Sequence, residues 1–384
     1  MKIALLVQRF PHGGAESYVE EIAKRLHAQG EDVTVITSQN GDDKKYGFRI
    51  IRLASRFSLG EYSWWMGLED VLKKERFDLV HTNTYGYFHS DKAASLKKKL
   101  GYKLVMTSHG FTGMDIHNLK KTGVIKKSSR FDFIRPFYDN YIGQKTLKRC
   151  DHLIALSQKD VDLYTEVGIE KSKITIIPPG IRDEFFVHDE KIKDFKSKLG
   201  ADPILLSVGE LSFIKNQILL VKAMPQILEI KPDTKLFFIG RDGGELENLR
   251  KLCSNLHLDG KIVFLDVKNS DEVSKYMRSA DLLIHVSLAE GLSTVLLESM
   301  ACGLPFMTTP AGGNGYLVQE SKAGMGTPFE DEKELAKNII GLIENKAKLQ
   351  QMALDGISYA ADLHWAKTFE KIMQLYQNLV GNEK

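Results

Sequence analysis

The chain has 384 residues, a formal net charge of +3, and a composition of 43% hydrophobic and 27% charged residues. This length is too great for one ordinary core and indicates two domains of roughly 180 residues each. Because no apolar run approaches the roughly 20 residues that span a bilayer, no membrane-spanning helix is expected. The apolar run at residues 3–7 is also too short for the core of a secretory signal.

The cysteines are few, odd in number and far apart in the sequence. They are Cys150, Cys253 and Cys302. This spacing fits neither a metal site nor a disulfide framework, and it indicates reduced thiols in a cytoplasmic protein. We expect all three to be plain core residues.

Positive charge is concentrated in the first half of the chain. Residues 1–180 carry 29 Lys and Arg against 21 Asp and Glu, a net charge of +8, whereas the remainder carries 24 against 29, a net charge of −5. Within 92–149, 14 basic residues stand against three acidic ones, with hydrophobic residues interleaved. Such a surface suits an anionic membrane, with peripheral attachment to its inner face, but a solvated loop and helix face is an equally open interpretation. No nucleic-acid partner is expected.

Strands and helices are predicted to alternate through the first half of the chain. The predicted strands are residues 2–7, 33–37, 48–53, 78–82, 103–108, 151–156 and 173–177. The predicted helices are residues 13–27, 64–74 and 91–100, then a loop and a long helix within 112–149, and one helix between the last two strands. Apolar strands rich in Val, Ile and Leu that alternate with helices indicate a parallel sheet covered on both faces.

The run Pro178-Pro179-Gly180 interrupts the pattern, and a linker with one helix follows it. The predicted strands of the second set are residues 204–208, 235–239, 261–265, 281–286 and 305–309. The predicted helices lie near 216–229, 244–257, 271–279, 294–302, 331–344, 346–360 and 365–380. Two such sets in one chain predict an α/β protein with two doubly wound, Rossmann-like domains.

Two candidate binding segments follow strands of the first set. Gly13 and Gly14 stand between a strand end and a helix start, where residues without Cβ let a ligand approach the helix N-terminus. A bare turn is the alternative. His109 directly follows the strand at 103–108 and could hydrogen-bond a sugar hydroxyl or the reacting centre, although a lone histidine is more often structural.

The second set carries two further candidate segments. Lys215 stands at a helix start after Gly209-Glu210 and could stabilise a negatively charged leaving phosphate; otherwise it is a solvated surface lysine. Glu290 precedes a helix and can accept hydrogen bonds from hydroxyl groups. The backbone N–H groups of residues 292–294 are expected to be free to bind an anion. Glu298, about two turns into the helix, could accept from a ribose diol or could simply stabilise the helix.

No metal site is predicted. The one D-x-D sequence, Asp160-Val161-Asp162, lies in a probable helix, where side chains two residues apart diverge. The G-x-G-x-x-G fingerprint of dinucleotide-binding enzymes is absent, which argues against a dehydrogenase.

Taken together, the motifs resemble those of the retaining GT-B glycosyltransferases of family 4, and they cover nearly the whole chain in that family's order. They are Gly13-Gly14-Ala15-Glu16, Phe77-Asp78-Leu79-Val80-His81, Ser108-His109-Gly110, Ile177-Pro178-Pro179-Gly180-Ile181, Val208-Gly209-Glu210, Lys215-Asn216, Ile239-Gly240 and Glu290 through Glu298 to Pro305. The resemblance implies the GT-B fold, with two Rossmann-like domains facing a central cleft. The domains would be an acceptor-binding domain at 1–182 plus a returning helix at 365–384, and a donor-binding domain at 183–364.

The resemblance also implies site roles and partners. Lys215 would contact the diphosphate of a nucleotide-sugar donor, Glu290 the donor sugar, and Glu298 the ribose. His109 would reach the sugar, and Lys215 and helix N-termini would replace a divalent metal. The other implied donor contacts are Gly13, Gly14, Gly209, Glu210, Gly240, Val267, Gly291, Leu292, Ser293 and Thr294. Gly14 would approach the phosphate, and the base would lie near Gly240 and Val267.

The implied reaction is sugar transfer with retention, from a UDP-sugar by family frequency, to a glycan or lipid-linked acceptor in surface polysaccharide or glycolipid synthesis. Many members of the family have Arg where Glu210 stands here, and a carboxylate would repel a diphosphate unless it points away or pairs with a base. The alternatives are a GT-B enzyme of another reaction, such as a sugar-nucleotide epimerase or a phosphorylase, and a non-catalytic nucleotide-sugar-binding protein.

Overall fold

A computed structural model describes residues 1–11, 13–38, 46–59, 62–121, 123–125, 134–187 and 192–381. The chain divides into two compact units. The first comprises Met1–Asn118, Lys127–Gly180 and Trp365–Lys384, and the second comprises Leu119–Lys126 and Ile181–His364.

The first unit is built on a sheet of seven parallel strands. The strands of this half of the chain are β1 (Lys2–Val7), β2 (Asp32–Ser38), β3 (Arg49–Leu53), β4 (Ser55–Leu59), β5 (Tyr62–Trp65), β6 (Leu79–Asn83), β7 (Lys103–Thr107), β8 (His152–Ala155) and β9 (Ile174–Ile176). The sheet order is β3-β2-β1-β6-β7-β8-β9. In β1 every residue from Ile3 to Val7 is fully buried, as expected for a strand covered on both faces.

Helices connect these strands. They are α1 (Gly14–Ala28), α2 (Leu68–Glu75), α3 (Phe88–Leu100), α4 (Thr112–Lys121), α5 (Ile134–Phe137), α6 (Gln144–Arg149) and α7 (Gln158–Glu166). A π-helical segment, Tyr138–Gly143, joins α5 to α6. Because the strands are parallel, all their carboxyl ends lie at one edge of the sheet, where ligands bind in open α/β sheets.

The helix predicted at 64–74 is wrong in its first part. Strands β4 and β5 form a separate antiparallel hairpin, and α2 begins only at Leu68, after Gly67. In β5, Ser63 and Trp65 are buried and Trp64 is exposed, which is the two-residue period of a strand. Aromatic residues favour strands, and this preference outweighs the helical pattern that the following residues suggest.

The second unit is built on a six-stranded parallel sheet. Its strands are β10 (Ile204–Val208), β11 (Lys235–Ile239), β12 (Ile262–Leu265), β13 (Leu282–His285), β14 (Phe306–Thr308) and β15 (Gly324–Gly326). The sheet order is β12-β11-β10-β13-β14-β15. Strands β11 and β12 are therefore added on one side of β10, and strands β13 to β15 on the other side, so the strand order reverses between β10 and β13. This reversal is the switch point at which ligands bind in doubly wound sheets.

The helices of the second half lie between and after these strands. They are α8 (Ile192–Leu199), α9 (Gln217–Ile230), α10 (Leu246–Asn255), α11 (Ser270–Ser279), α12 (Thr294–Ala301), α13 (Asn314–Ser321), α14 (Glu332–Glu344), α15 (Lys346–Ala360) and α16 (Trp365–Gly381). Short 3-10 turns lie at Lys171–Lys173, Asp183–Phe185 and Phe213–Lys215. Strand β15 and helix α13 were not predicted from the sequence. In the case of β15, the reason is that a Gly-Met-Gly strand carries almost no β-forming side chain.

The C-terminal helix α16 packs on the first unit. A Cβ at Gly180 would lie 2.5 Å from the Trp365 ring, and that ring also lies 5.5 Å from the ring of Tyr18. Farther along the helix, the buried hydroxyl of Tyr376 lies 2.5 Å from Nδ1 of His81 in β6. The three cysteines are free thiols and all are buried, as predicted.

Candidate active site

Most of the predicted site residues of the second unit follow the carboxyl ends of adjacent strands. Gly209 and Glu210 follow β10, Gly240 follows β11, Val267 lies just beyond β12, and Glu290 lies beyond β13. Because β12, β11, β10 and β13 are neighbours in one parallel sheet, these residues share one sheet edge. The edge also includes the reversal in strand order between β10 and β13.

Lys215 and Glu290 form an ion pair at this edge. The Lys215 ammonium contacts Oε1 of Glu290, and the side chains are 26% and 12% exposed. Burial alone would raise the pKa of Glu290, but the Lys215 charge and the hydrogen bond from His285 hold that pKa well below its usual value. Glu290 is therefore a largely buried, ionised carboxylate at neutral pH, and an ionised carboxylate is purely a hydrogen-bond acceptor.

His285 is a member of this cluster that the sequence analysis missed. It is the last residue of β13, and its Nε2 lies 2.7 Å from Oε1 of Glu290 and 3.0 Å from Oγ of Ser287. The signal in the sequence was the same as for His109, a histidine at the end of an apolar strand. The run at 281–286 is otherwise almost entirely apolar, so the sequence does not distinguish a core histidine from one that faces a site.

Glu210 is paired with a base from the neighbouring loop. Nε of Arg241, which follows Gly240, donates to Oε1 of Glu210 at 2.8 Å. The carbonyl oxygen of Glu210 accepts from Nε2 of Gln217 at 2.8 Å. A carboxylate can stand beside a diphosphate when it is paired with a base. Arg241 is that base for Glu210.

Two glycines let the loops at this edge approach one another. A Cβ at Gly240 would lie 2.0 Å from the carbonyl oxygen of Gly209. Gly312 has φ of +56°, and a Cβ there would lie 2.0 Å from the carbonyl oxygen of Glu290. The next residue, Gly313, donates its N–H to the carbonyl oxygen of Gly291 at 2.6 Å. The loop before α13 therefore supports the backbone that carries Glu290.

The N-terminus of α12 differs from the prediction at one position. The Ser293 N–H was expected to be free, but it donates to Oδ1 of Asn314 at 3.1 Å, and both residues are buried. Within the described residues, no hydrogen bond engages the N–H groups of Leu292 or Thr294. An anion at this helix end would therefore meet two free donors rather than three.

Glu298 lies inside α12 and contacts a second residue that the sequence analysis missed, Arg182. Nη2 of Arg182 lies 3.2 Å from Oε1 of Glu298. Burial raises the pKa of Glu298 to about 7, against the lowering effect of Arg182 and with a further raising effect from Glu184. This carboxyl group consequently changes its charge near neutral pH.

The first unit holds Gly13, Gly14 and His109 at the carboxyl edge of its own sheet. Gly13 caps α1, and the space where a Cβ of Gly14 would stand is open. His109 follows β7 in a left-handed backbone conformation, with φ of +52°. Its Nε2 lies 3.1 Å from Oδ1 of Asn83, and its ring packs against that of Tyr18 from α1, 4.8 Å between ring centroids.

His109 is an uncharged histidine in this structure. Burial lowers its pKa to about 3, so the ring is neutral at physiological pH. Since Oδ1 of Asn83 accepts, the proton is on Nε2 and Nδ1 is left as an acceptor. His109 can thus accept a hydrogen bond from a hydroxyl group.

Within the described ranges, no group of three or more His, Cys, Asp or Glu side chains is arranged to hold a metal ion. None of the helices described combines the length and the apolar character that crossing a bilayer requires.

Two Rossmann-like units, each built on a parallel sheet, are the architecture of the GT-B fold class. Residues 12–185 match the family model described as Glycosyltransferase Family 4, and residues 189–357 match that of Glycosyl transferases group 1. Between them the two models cover most of the chain. The chain belongs to this family of glycosyltransferases, and both the resemblance and the fold class predicted from the sequence are confirmed.

Relatives and solved structures agree with this assignment. The chain is 27% identical to alpha-monoglucosyldiacylglycerol synthase of Streptococcus pneumoniae, over 88% of this chain and 78% of that protein. Its fold is similar to that of sucrose-phosphate synthase from Thermosynechococcus elongatus, with a TM-score of 0.82, 22% identity and complete coverage of both chains. It is also similar to Anabaena HepE in complex with UDP-glucose, with a TM-score of 0.79, 22% identity, and 98% and 100% coverage.

Proposed function

We propose that this glycosyltransferase moves a sugar from a UDP-sugar to a glycan or lipid-linked acceptor, with retention of anomeric configuration and without a metal. The reaction would serve surface polysaccharide or glycolipid synthesis. The observation that carries the proposal is the cluster in which Glu290 lies between Lys215 and His285 at the switch point of the second sheet. It places a cation and a buried acceptor where a phosphate-linked sugar would need both.

Most of the predicted side chains of the second unit keep a role in this proposal. Lys215 binds the diphosphate, and the free N–H groups of Leu292 and Thr294 add helix N-terminal donors. Glu290 accepts from donor-sugar hydroxyls, and Glu298 accepts from the ribose. The uracil base lies near Gly240 and Val267, whose side chain is 62% exposed and available for apolar contact. These cationic and N–H groups supply the charge stabilisation that a metal provides in other enzymes.

The first unit contributes through Gly14 and His109. Gly14, the first residue of α1, has open space where a Cβ would stand, so a phosphate can come close to its backbone. His109, neutral and with Nδ1 as an acceptor, can hold a sugar hydroxyl without competing with Lys215 for the leaving phosphate.

The proposed chemistry needs no protein nucleophile. The acceptor hydroxyl oxygen attacks the anomeric carbon on the face from which the diphosphate leaves. The bond from that carbon to the phosphate oxygen breaks, and the departing phosphate oxygen takes the acceptor's proton. Lys215 stabilises the charge that develops on the leaving group. Glu290 fixes the sugar, so that front-face attack remains geometrically open.

The choice of donor and acceptor rests on named similarities. HepE was solved with UDP-glucose, and the pneumococcal relative is named as a glucosyldiacylglycerol synthase. A glucosyl donor and a lipid-linked acceptor are accordingly the first candidates to assay.

The test is the variant Glu290→Ala, assayed by transfer and by acceptor-independent hydrolysis of UDP-glucose. We expect both activities to be lost while the melting temperature shows a folded protein. Glu344→Ala removes a carboxylate from a surface ion pair with Lys231 in the same unit and serves as the matched control. Full activity in Glu290→Ala would refute this role, and epimerisation of the donor without acceptor would favour the epimerase alternative.

We also propose that the first unit binds an anionic membrane surface. Several basic residues of 92–149 are neutralised, since Lys92 and Lys99 pair with Glu69 and Lys97 pairs with Asp151. Three further basic residues of this range, Lys126, Lys127 and Arg130, lie outside the described residues. Exposed basic side chains nevertheless line a cavity of about 520 Å³ beside Cys150. They are Lys98, Lys148, Arg149 and Lys173.

Vesicle sedimentation tests the membrane proposal. We expect binding to vesicles with anionic lipid that weakens as salt rises and is reduced in Lys148→Glu/Arg149→Glu. Equal binding to neutral and anionic vesicles would contradict it. The cytoplasmic location stays a prediction.

A further inference from the structure

His285 is the donor in its contact with Glu290. The pKa of Glu290 is held low, so Oε1 is an acceptor, and the ring nitrogen 2.7 Å away must carry a proton. If Nε2 were unprotonated, two acceptors would face each other at that distance. The Ser287 hydroxyl, 3.0 Å from Nε2, then accepts a share of the same proton rather than donating to the ring.

The backbone around His285 is held from the next strand. The Thr308 hydroxyl donates to the carbonyl oxygen of His285 at 2.8 Å, and the Thr309 hydroxyl donates to the carbonyl oxygen of Ser287. All four residues are buried. The imidazole therefore has little freedom to move, whereas the partly exposed Lys215 side chain is long and flexible.

Both known donors bind the same oxygen of Glu290. Lys215 and His285 contact Oε1, and among the described residues no hydrogen bond engages Oε2. The carboxylate is thus oriented with one oxygen fixed and the other available to a ligand.

We propose that His285 is a positioning residue for the donor sugar, which it serves by holding the Glu290 carboxylate oriented. This inference rests on the proposed function of Glu290. When a diphosphate binds, Lys215 acquires a second anionic partner, and its hold on Glu290 weakens. His285 then keeps Oε1 in place and leaves Oε2 to accept from a sugar hydroxyl. Because His285 acts through Glu290, its effect falls on the sugar and not on the nucleotide.

The experiment compares His285→Leu, His285→Gln and Ser287→Ala in the full chain. Leu removes the hydrogen-bond donor with a side chain of similar size. The Gln side-chain amide can instead donate an N–H to Glu290 in place of the imidazole Nε2–H. Ser287→Ala removes the hydroxyl beside His285 Nε2 but leaves the hydrogen bond from Nε2–H to Glu290 in place. Each variant is measured for kcat and KM with UDP-glucose, for the Kd of UDP, and for melting temperature.

We expect His285→Leu to lower kcat about 10- to 100-fold, the range for loss of one hydrogen bond to a charged group. The Kd of UDP should stay within about twofold, because UDP lacks the donor sugar that Glu290 holds. His285→Gln should restore most of kcat, and Ser287→Ala should behave like the unaltered protein.

Other results would overturn the inference. Unchanged kcat in His285→Leu would show that Lys215 suffices. Equal losses in Leu and Gln variants, or loss of UDP affinity together with kcat, would indicate a merely structural role. If Glu290→Ala is inactive while His285→Leu is normal, this inference fails alone; if Glu290→Ala is fully active, the proposed function fails with it.

Discussion

The Glu210 carboxylate, at the edge proposed to bind a diphosphate, is compensated by Arg241. The two side chains are 38% and 46% exposed and joined at 2.8 Å, so the pair is solvent-screened and its energy is modest. The pairing nonetheless cancels a negative charge that would otherwise repel phosphate. Glu210 therefore does not by itself argue for a protein that has lost its activity.

We predict that Arg241→Ala weakens UDP binding several-fold, because Glu210 is left as an uncompensated carboxylate near the phosphates. The double variant Glu210→Ala/Arg241→Ala should recover most of the affinity. Isothermal titration calorimetry with UDP measures both.

An unchanged affinity in Arg241→Ala would contradict the compensation. Equal weakening in the single and double variants would instead mean that the arginine itself contacts the phosphates.

We predict that Glu298 makes nucleotide binding depend on pH. Its pKa is raised to about 7 by burial, so the carboxyl group is largely protonated at pH 6 and largely ionised at pH 8. An ionised carboxylate accepts from both hydroxyls of a ribose diol, whereas a protonated one must donate once. UDP affinity should consequently rise as the pH rises through 7, by up to about tenfold for one such group.

Calorimetry at pH 6 and pH 8 checks this, with Glu298→Gln as the control for ionisation of the UDP phosphate itself. The variant should lose the part of the pH dependence that belongs to the protein. Identical profiles in the two proteins would show that Glu298 does not report on ribose binding.

At the scale of elements, the loop before α13 supports the segment that carries Glu290. Gly312 has a left-handed φ of +56°, and its missing Cβ is what lets the Glu290 carbonyl approach. Asn314, the first residue of α13, accepts from Ser293 and lies 3.3 Å from Oγ1 of Thr308. Loop and site are therefore one packed structure, although they are separate in sequence.

We predict that Gly312→Ala lowers turnover at least tenfold. The new Cβ would overlap the backbone and displace Glu290, and each increase of about 1.4 kcal/mol in the activation barrier slows the reaction about tenfold. Gly260→Ala is the matched control, because Gly260 also has positive φ, +75°, but open space around its Cβ.

Both variants should lose a small amount of stability from the left-handed backbone conformation, and Gly312→Ala should lose more because its Cβ would overlap the Glu290 carbonyl. Turnover and melting temperature together separate the two effects. Equal turnover in the two variants would mean that the loop does not position the site.

At the scale of the whole molecule, the alternation of strands and helices was readable from the sequence because parallel strands are buried on both faces. The apolar runs at β1 and β10 are of this kind. The β4–β5 hairpin and β15 were not readable. The hairpin is small and partly exposed, and β15 is mostly glycine, so neither carries a buried apolar run.

The site could also be predicted in part from the sequence. Residues directly after a strand can be located from the strand, which is how His109, Lys215 and Glu290 were selected. Their partners could not be inferred, since the contacts of Glu290 with Lys215 and of Glu298 with Arg182 join residues 75 and 116 positions apart. Such contacts depend on sheet order, which local patterns do not reveal.

The central claim is that the second unit binds the donor through its nucleotide diphosphate, with Lys215 in place of a metal. The most direct measurement is calorimetric titration of the protein with UDP, GDP and ADP, with and without a chelator, and of Lys215→Ala with the nucleotide that binds. We predict that UDP binds, that the chelator changes nothing, and that Lys215→Ala weakens binding at least tenfold, as loss of a charge-assisted contact does. Binding of no nucleotide, binding that the chelator abolishes, or full affinity in Lys215→Ala would contradict the account.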